Sequence, residues 1–370
     1  AAGATAAGWL ADTPEVRTAP YHRFLGSLLL PFAMFFLVCS AARDEGQVRR
    51  GLVLLTVYGW FALYLGYLQY AALCGAGGAR ALLWPPYVND PSYGIHFDRA
   101  RGAFAAAGPQ SVLLVLLFFV DLLLLRKLRG PYRAAVAVQA VLVPPAIFFT
   151  GVRAAYVAFA VCGAVWCLAG GSRRLGASKL ALASLAVLAA AAMFWGNIVQ
   201  TDRRTGGLAQ RGPVQARYVL LRQTWAIVRE HPLTGVGFGR FADAQRALQR
   251  DPAGVESLTR GVLVEHNLFL NMAAETGLVG LALTVALFVL LWRQSRQLHR
   301  KLPPAAEGLL ARELVVLFWV ALANYLCAAM FRDTLWDVFS NALFWSLAGL
   351  IVGYNRLLER RGAGGAPWPA

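Results

Sequence analysis

The chain has 370 residues, of which 58% are hydrophobic and 15% charged, well under the roughly 25% charge usual in soluble domains, so a soluble globular reading is set aside. Its net charge of +16 would point to nucleic acid in a soluble protein, but the basic residues cluster in short segments between apolar blocks, which is a topological pattern and not a DNA-binding one. Arginine outnumbers lysine 32 to 3 beside abundant alanine and glycine, a ratio that reflects GC-rich coding and is not read as function.

The apolar blocks lack the three-to-four spacing of an amphipathic helix, and several reach the ~20 residues needed to cross a hydrocarbon core. In chain order they predict spans at 24–41, 51–72, 109–125, 134–150, 152–169, 180–198, 264–292, 314–331 and 338–354. The fold class expected is all-α, a polytopic transmembrane bundle. The chain opens at Ala1 with no cleavable signal pattern, so the expectation is a fragment that lacks its first spans.

Orientation follows from the short loops. Arg43, Arg49 and Arg50, then Arg126, Lys127, Arg129 and Arg133, then Arg173, Arg174 and Lys179 fall on one side, which is therefore cytoplasmic. When the spans alternate, Arg293, Arg296, Arg300 and Lys301, and finally Arg356, Arg360 and Arg361, join that side. Three regions result: helices over 1–198 with a short outer loop at 75–108, a large outer loop domain at 199–263, and C-terminal helices over 264–370. The large loop holds ten arginines, no lysine and five acids.

Cys39, Cys162, Cys167 and Cys327 lie in apolar blocks and Cys74 ends one, so the cysteines read as small buried hydrophobes. No metal site is expected. Asp121, near the inner end of its span, is expected to pair locally with Arg126.

Polar residues gather in four stretches toward the outer side. The stretch 148–158, FFTGVRAAYVA, sets Arg153 between two spans with almost no loop, where an arginine must snorkel, pair or line a polar cavity. The stretch 98–110, DRARGAFAAAGPQ, brings Arg101 to the mouth of the third span, and Arg332, Asp333 and Asp337 lie between the last two.

The stretch 217–241 reads RYVLLRQTWAIVREHPLTGVGFGRF. Val214, Tyr218, Leu221, Trp225 and Val228 recur at helical spacing after Pro213, predicting a helix along the membrane surface with that face buried. Arg217 flanks this face on one side, with Arg222 and Arg229 on the other. A guanidinium suits a diphosphate because its planar fork donates parallel charge-assisted hydrogen bonds at any working pH, although interfacial arginines also pair with anionic lipid head groups. The turn carrying Gly235, Gly237 and Gly239 is not a dinucleotide fingerprint, since no strand precedes it. It reads as a tight turn with Gly237 in a backbone nest for an anion.

The stretch 266–280, HNLFLNMAAETGLVG, opens a span. His266, Ala273, Gly277 and Gly280 would share one face, a small-residue ridge against another helix. Such a histidine is a structural group or a catalyst. Asn267 and Asn271 form a second polar stripe, placed either to orient a sugar or to bond helix to helix.

Together, the His-Asn start with Glu-Thr-Gly-Leu-Val-Gly, the arginine-headed helix running into His-Pro-Leu-Thr-Gly-Val-Gly, and the Thr-Gly-Val-Arg-Ala-Ala turn resemble the O-antigen ligase and polymerase family. The resemblance implies a GT-C-like helical glycosyltransferase that takes glycan from undecaprenyl pyrophosphate, without cofactor, nucleotide sugar or metal, at the periplasmic face of the bacterial inner membrane. It implies that Arg153 and Arg217 hold the pyrophosphate while His266 serves the acceptor hydroxyl. Arg222, Asn267, Arg101 and Gly237 are the accompanying substrate-binding candidates. Expected partners are the lipid-linked glycan, a lipid A-core acceptor and membrane lipids, with no nucleic acid. The chain departs from the family pattern at Val152, where serine is frequent, and over 106–110, where asparagine follows the glycine. Within the family, repeat-unit polymerisation and pilin glycosylation remain alternatives to ligation. A flippase is the alternative of another class, but no internal repeat or paired broken helix supports it.

Overall fold

In a bilayer each backbone N–H and C=O must find its partner inside the protein, and the apolar blocks meet that demand as helices. The computed structural model describes residues 21, 24–41, 45–90, 93–94, 97–169, 211–250, 267–303, 308–309, 311–332 and 334–363, and among these no strand occurs.

A π-helical turn, Phe24–Leu29, leads into α1 (Leu30–Ala41). Then follow α2 (Glu45–Leu73), two 3-10 turns at Ala79–Leu82 and Pro86–Asn89, α3 (Ala107–Lys127), α4 (Gly130–Phe149) and α5 (Arg153–Ala169). After the next described stretch begins come α6 (Arg211–Glu230), α7 (Phe241–Arg250), α8 (Leu268–Lys301), α9 (Arg312–Phe331) and α10 (Val338–Ala363). Among the described residues seven segments are long and apolar enough to cross a membrane: Phe24–Ala41, α2, α3, α4, α8, α9 and Val338–Glu359. The span expected at 152–169 appears as α5, a shorter apolar helix of 17 residues. The one expected at 180–198 lies outside the described residues.

The chain divides into two compact units. The first takes in Phe32–Trp195, Leu291–Cys327 and Ala342–Ala370. Its centre is α3, whose apolar residues from Val112 to Leu124 are almost all buried. Polar side chains tie its neighbours together where lipid offers no partner: Gln139 Nε2 donates to the Thr56 carbonyl at 2.8 Å, Gln110 Nε2 to that of Ala62 at 2.9 Å and Asn324 Nδ2 to that of Val112 at 2.9 Å. Gly59 lets α2 approach α3 and α4, because a Cβ there would lie 2.8 Å from Leu117 Cδ1 and 2.9 Å from Gln139 Nε2. Pro144 and Pro145 remove two N–H groups inside α4, and the Tyr67 hydroxyl donates to the Leu142 carbonyl in that stretch at 3.0 Å.

The expected Asp121–Arg126 pair is not formed. Arg126 and Lys127 both reach Glu313 at the start of α9, the latter at 3.2 Å. Asp121 points the other way and is fully buried, and among the described residues neither carboxylate oxygen has a hydrogen-bond partner. The helix turns its aspartate inward and its basic end outward, so neighbours in sequence diverge in space.

The second unit comprises Ala1–Pro31, Gly196–Leu290 and Ala328–Asn341. Its core gathers Leu220, Ile227 and Val228 of α6, Phe241 of α7, and Ala273 and Ala274 of α8. The buried side of α6 therefore runs through Leu220, Gln223, Thr224, Ile227 and Val228, while Tyr218, Leu221 and Trp225 are exposed. This corrects the expected face, since the most apolar stripe of α6 is directed away from the protein. A helix packed on protein along one stripe and on lipid along another needs no polar side of full width.

Candidate active site

In the first unit the candidate site is the corner where α4 ends. Thr150 stops the helix, its hydroxyl accepts from the Val152 N–H at 3.3 Å, and Gly151 takes a positive φ of 61° to swing the chain into α5. Arg153 heads that helix and is exposed, and it is engaged in interactions of its own. The corner is rigid because Phe149 stacks on Tyr70 at 3.9 Å and the Tyr156 hydroxyl donates to the Phe148 carbonyl at 3.1 Å.

The segment 97–106 lies along this corner. The Ala100 N–H donates to the Phe149 carbonyl at 3.0 Å, and Arg99 Nη1 reaches the Gly151 carbonyl at 3.4 Å. Arg99 is thereby set against the turn that leads into Arg153.

Arg101 is not part of that contact. Its residue is 2% exposed, and its guanidinium donates to the carbonyls of Tyr93, Phe104 and Val88 at 2.9, 3.0 and 2.8 Å while lying 4.1 Å from the Phe97 ring centroid. Gln69 completes the knot: its Oε1 accepts from the Arg101 and Gly102 N–H groups at 2.9 and 2.8 Å, and its Nε2 donates to the Gly102 carbonyl at 2.9 Å. Burial draws the Arg101 pKa below its usual value and the Tyr87 phenol opposes the shift, but a guanidinium stays charged at any working pH. The substrate contact expected of Arg101 is corrected to a loop-holding one, because its guanidinium is buried and spent on three backbone carbonyls of its own loop.

In the second unit two of the sequence motifs meet. Helix α8 is interrupted at Gly277, with φ 68° and ψ −172°. A broken helix orphans the carbonyls of its last turn. Here the turn after α6 supplies the missing donors, Val236 N–H to the Ala274 carbonyl at 3.0 Å and Gly237 N–H to that of Glu275 at 2.9 Å. In return the Leu278 N–H donates to the Pro232 carbonyl at 2.8 Å. The backbones pass so close that a Cβ on Gly277 would overlap the Leu233 carbonyl and lie 2.6 Å from the Thr234 nitrogen. A Cβ on Gly235 would overlap the Glu275 carbonyl.

Two expectations change with this splice. The amide of Gly237 is committed to Glu275, so the anion nest gives way to a backbone joint. The small-residue ridge is not continuous either, because the break at Gly277 separates Ala273 from Gly280. Glu275, which the sequence reading passed over, is fully buried in the joint.

Asn267 caps α8. Its Oδ1 accepts from the Phe269 and Leu270 N–H groups at 2.9 and 3.1 Å, and its Nδ2 donates to the Met330 carbonyl at 3.2 Å. Both ends of the amide are engaged in protein contacts, and the bond to Met330 at the end of α9 is the helix-to-helix alternative expected of it. His266 lies outside the described residues, directly ahead of the cap in sequence. Arg217 belongs to α6, and Arg222 of the same helix is exposed, 5.8 Å from the Tyr218 ring centroid. Arg229 repeats the arrangement over Trp225 at 5.6 Å. At the turn between α9 and α10, Arg332 pairs with Asp337 at 2.8 Å, and Asp337 Oδ1 caps α10 through the Ser340 N–H at 3.0 Å. Asp333 lies outside the described residues.

Helices of spanning length with arginines presented at their ends define a polytopic α-helical membrane protein. Residues 139–285 match the family model described as O-antigen ligase, so the chain carries an O-antigen ligase family domain. No curated protein matches the chain. The matched stretch contains Arg153, α6, the turn after it and the break in α8, while Arg99 and Arg101 lie outside it. The match supports an activity of O-antigen ligase or polymerase type in general.

Proposed function

We propose that the chain is an O-antigen ligase that moves glycan from undecaprenyl pyrophosphate to lipid A-core oligosaccharide at the periplasmic face of the inner membrane. The observation that carries this reading is the family match over the stretch holding Arg153, Arg217 and His266. Ligation is preferred to polymerisation because the sequence has a single large outer segment, 199–263.

In this mechanism the acceptor hydroxyl oxygen forms a bond to the anomeric carbon as the bond from that carbon to the pyrophosphate oxygen breaks. His266 takes the hydroxyl proton, and undecaprenyl pyrophosphate departs with the bonding pair. Arg153 and Arg217 stabilise the charge that grows on it. Preorganised cations in a partly dehydrated site contribute several kcal/mol to such a transition state, enough for transfer without a divalent ion. Attack from the side opposite the leaving group inverts the anomeric configuration.

The test uses the purified chain, lipid-linked glycan, EDTA and separate acceptors. Transfer to lipid A-core with inverted linkage is expected. His266→Ala and Arg217→Ala should each lower it by roughly 10²-fold or more in protein that still folds and inserts. Elongation of a second lipid-linked glycan, with none reaching lipid A-core, would make the chain a polymerase. Rescue of an EDTA-treated enzyme by a divalent ion would sink the metal-free mechanism.

A further inference from the structure

We infer that Arg99 is a second phosphate-binding residue beside Arg153, and that the two guanidiniums take the pyrophosphate of a polyprenyl-linked donor between them. The inference rests on the function proposed above, but its evidence lies in the corner between the segment 97–106 and the start of α5.

Three features set Arg99 there. Its aliphatic stem lies along the turn that leads to Arg153, with Cδ 3.2 Å from where a Gly151 Cβ would stand. The backbone beside it is held to the end of α4 by the Ala100–Phe149 hydrogen bond of 3.0 Å. Arg99 Nη1 reaches the Gly151 carbonyl at 3.4 Å, two residues ahead of Arg153. The buried Arg101 and Gln69 fix the following residues, so Arg99 is positioned in advance and need not be ordered by the ligand.

Its present contacts are weak ones. Arg99 meets the Asp98 carboxylate through Nε and the Gly151 carbonyl through Nη1, each at 3.4 Å, and the side chains of Arg99 and Asp98 are 26% and 47% exposed. An ion pair so long and so open to solvent contributes little, and a guanidinium offers more donors than these contacts occupy. A pyrophosphate carries negative charge on both phosphoryl groups, which two forks can match in parallel, whereas the phosphodiester of an anionic phospholipid needs only one. The start of α5 adds the positive end of a helix dipole to the same corner. Arg101 differs from Arg99 in the direction of its side chain alone, which is why the DRAR stretch by itself does not separate them.

The deciding experiment places the full chain in phosphatidylcholine nanodiscs and titrates undecaprenyl pyrophosphate, undecaprenyl phosphate and phosphatidylglycerol, with binding followed by native mass spectrometry. Arg99→Gln should weaken the pyrophosphate lipid by roughly ten- to a hundredfold, as loss of a charge-assisted contact does, while the two monophosphates change by less than about threefold. Arg99→Lys, which keeps the charge but loses the fork, should fall between, and it serves in place of Arg99→Gln if that variant does not fold. Unchanged pyrophosphate binding in folded Arg99 variants, with Arg153→Gln still defective, overturns the assignment of Arg99 and leaves the proposed function standing. Equal weakening of phosphatidylglycerol overturns it in favour of a lipid anchor. If the wild-type chain binds no pyrophosphate lipid at all, the proposed function fails and this inference with it.

Discussion

The corner at Gly151 and the joint at Gly277 both depend on glycines of positive φ, at 61° and 68°, yet they use that freedom for opposite ends. At the corner the chain turns so that side chains can be presented, with Arg99 lying along the turn and Arg153 opening the next helix. At the joint two backbones close on each other, and hydrogen bonds of 2.8 to 3.0 Å leave no room for a side chain. A glycine-rich motif near arginines is therefore not by itself a binding site. What decides is whether its amides face outward or already have partners within the chain.

The comparison is broken most forcefully at the joint. Gly277→Ala must push a methyl into the Leu233 carbonyl at φ 68°, and an expected loss on the order of 2–4 kcal/mol should appear as a lowered unfolding midpoint. A stability unchanged from wild type would mean that the two backbones are not joined as described. At the corner side-chain chemistry matters instead. Arg101→Gln strands carbonyls that a buried fork now satisfies, with a loss of roughly 1–3 kcal/mol and faster proteolysis between Val88 and Phe104 as the check. The smallest effect belongs to the helix cap: Asn267→Ala should cost about 1 kcal/mol and speed amide exchange at Phe269 and Leu270. Asn267→Asp keeps the acceptor and should cost less than the alanine variant.

Much of the fold could be read in advance, since an apolar run of spanning length has few alternatives in lipid. Helices over the expected blocks at 24–41, 51–72, 109–125, 134–150, 314–331 and 338–354 illustrate this. The break in α8 was harder, because Gly277 lies in a run whose composition is otherwise that of one helix, and its cause is a turn distant in sequence. Side-chain direction in irregular segments was not legible at all. Arg99 and Arg101 stand two apart in one stretch, and only tertiary carbonyls distinguish the buried one from the presented one. For α6 the period was right and the buried stripe was not, since a membrane protein need not turn its most apolar face to its own core.

The knot around Arg101 also bears on how the α2–α3 connection survives outside a helix. Small segments of this kind are commonly stapled by cystine, but the cysteine at its head, Cys74, is a free thiol. Here a protonated cation and a glutamine amide cross-link the connection, and neither is altered by a change of redox poise. Its integrity is thus independent of oxidative folding machinery, and a thiol reductant leaves it intact.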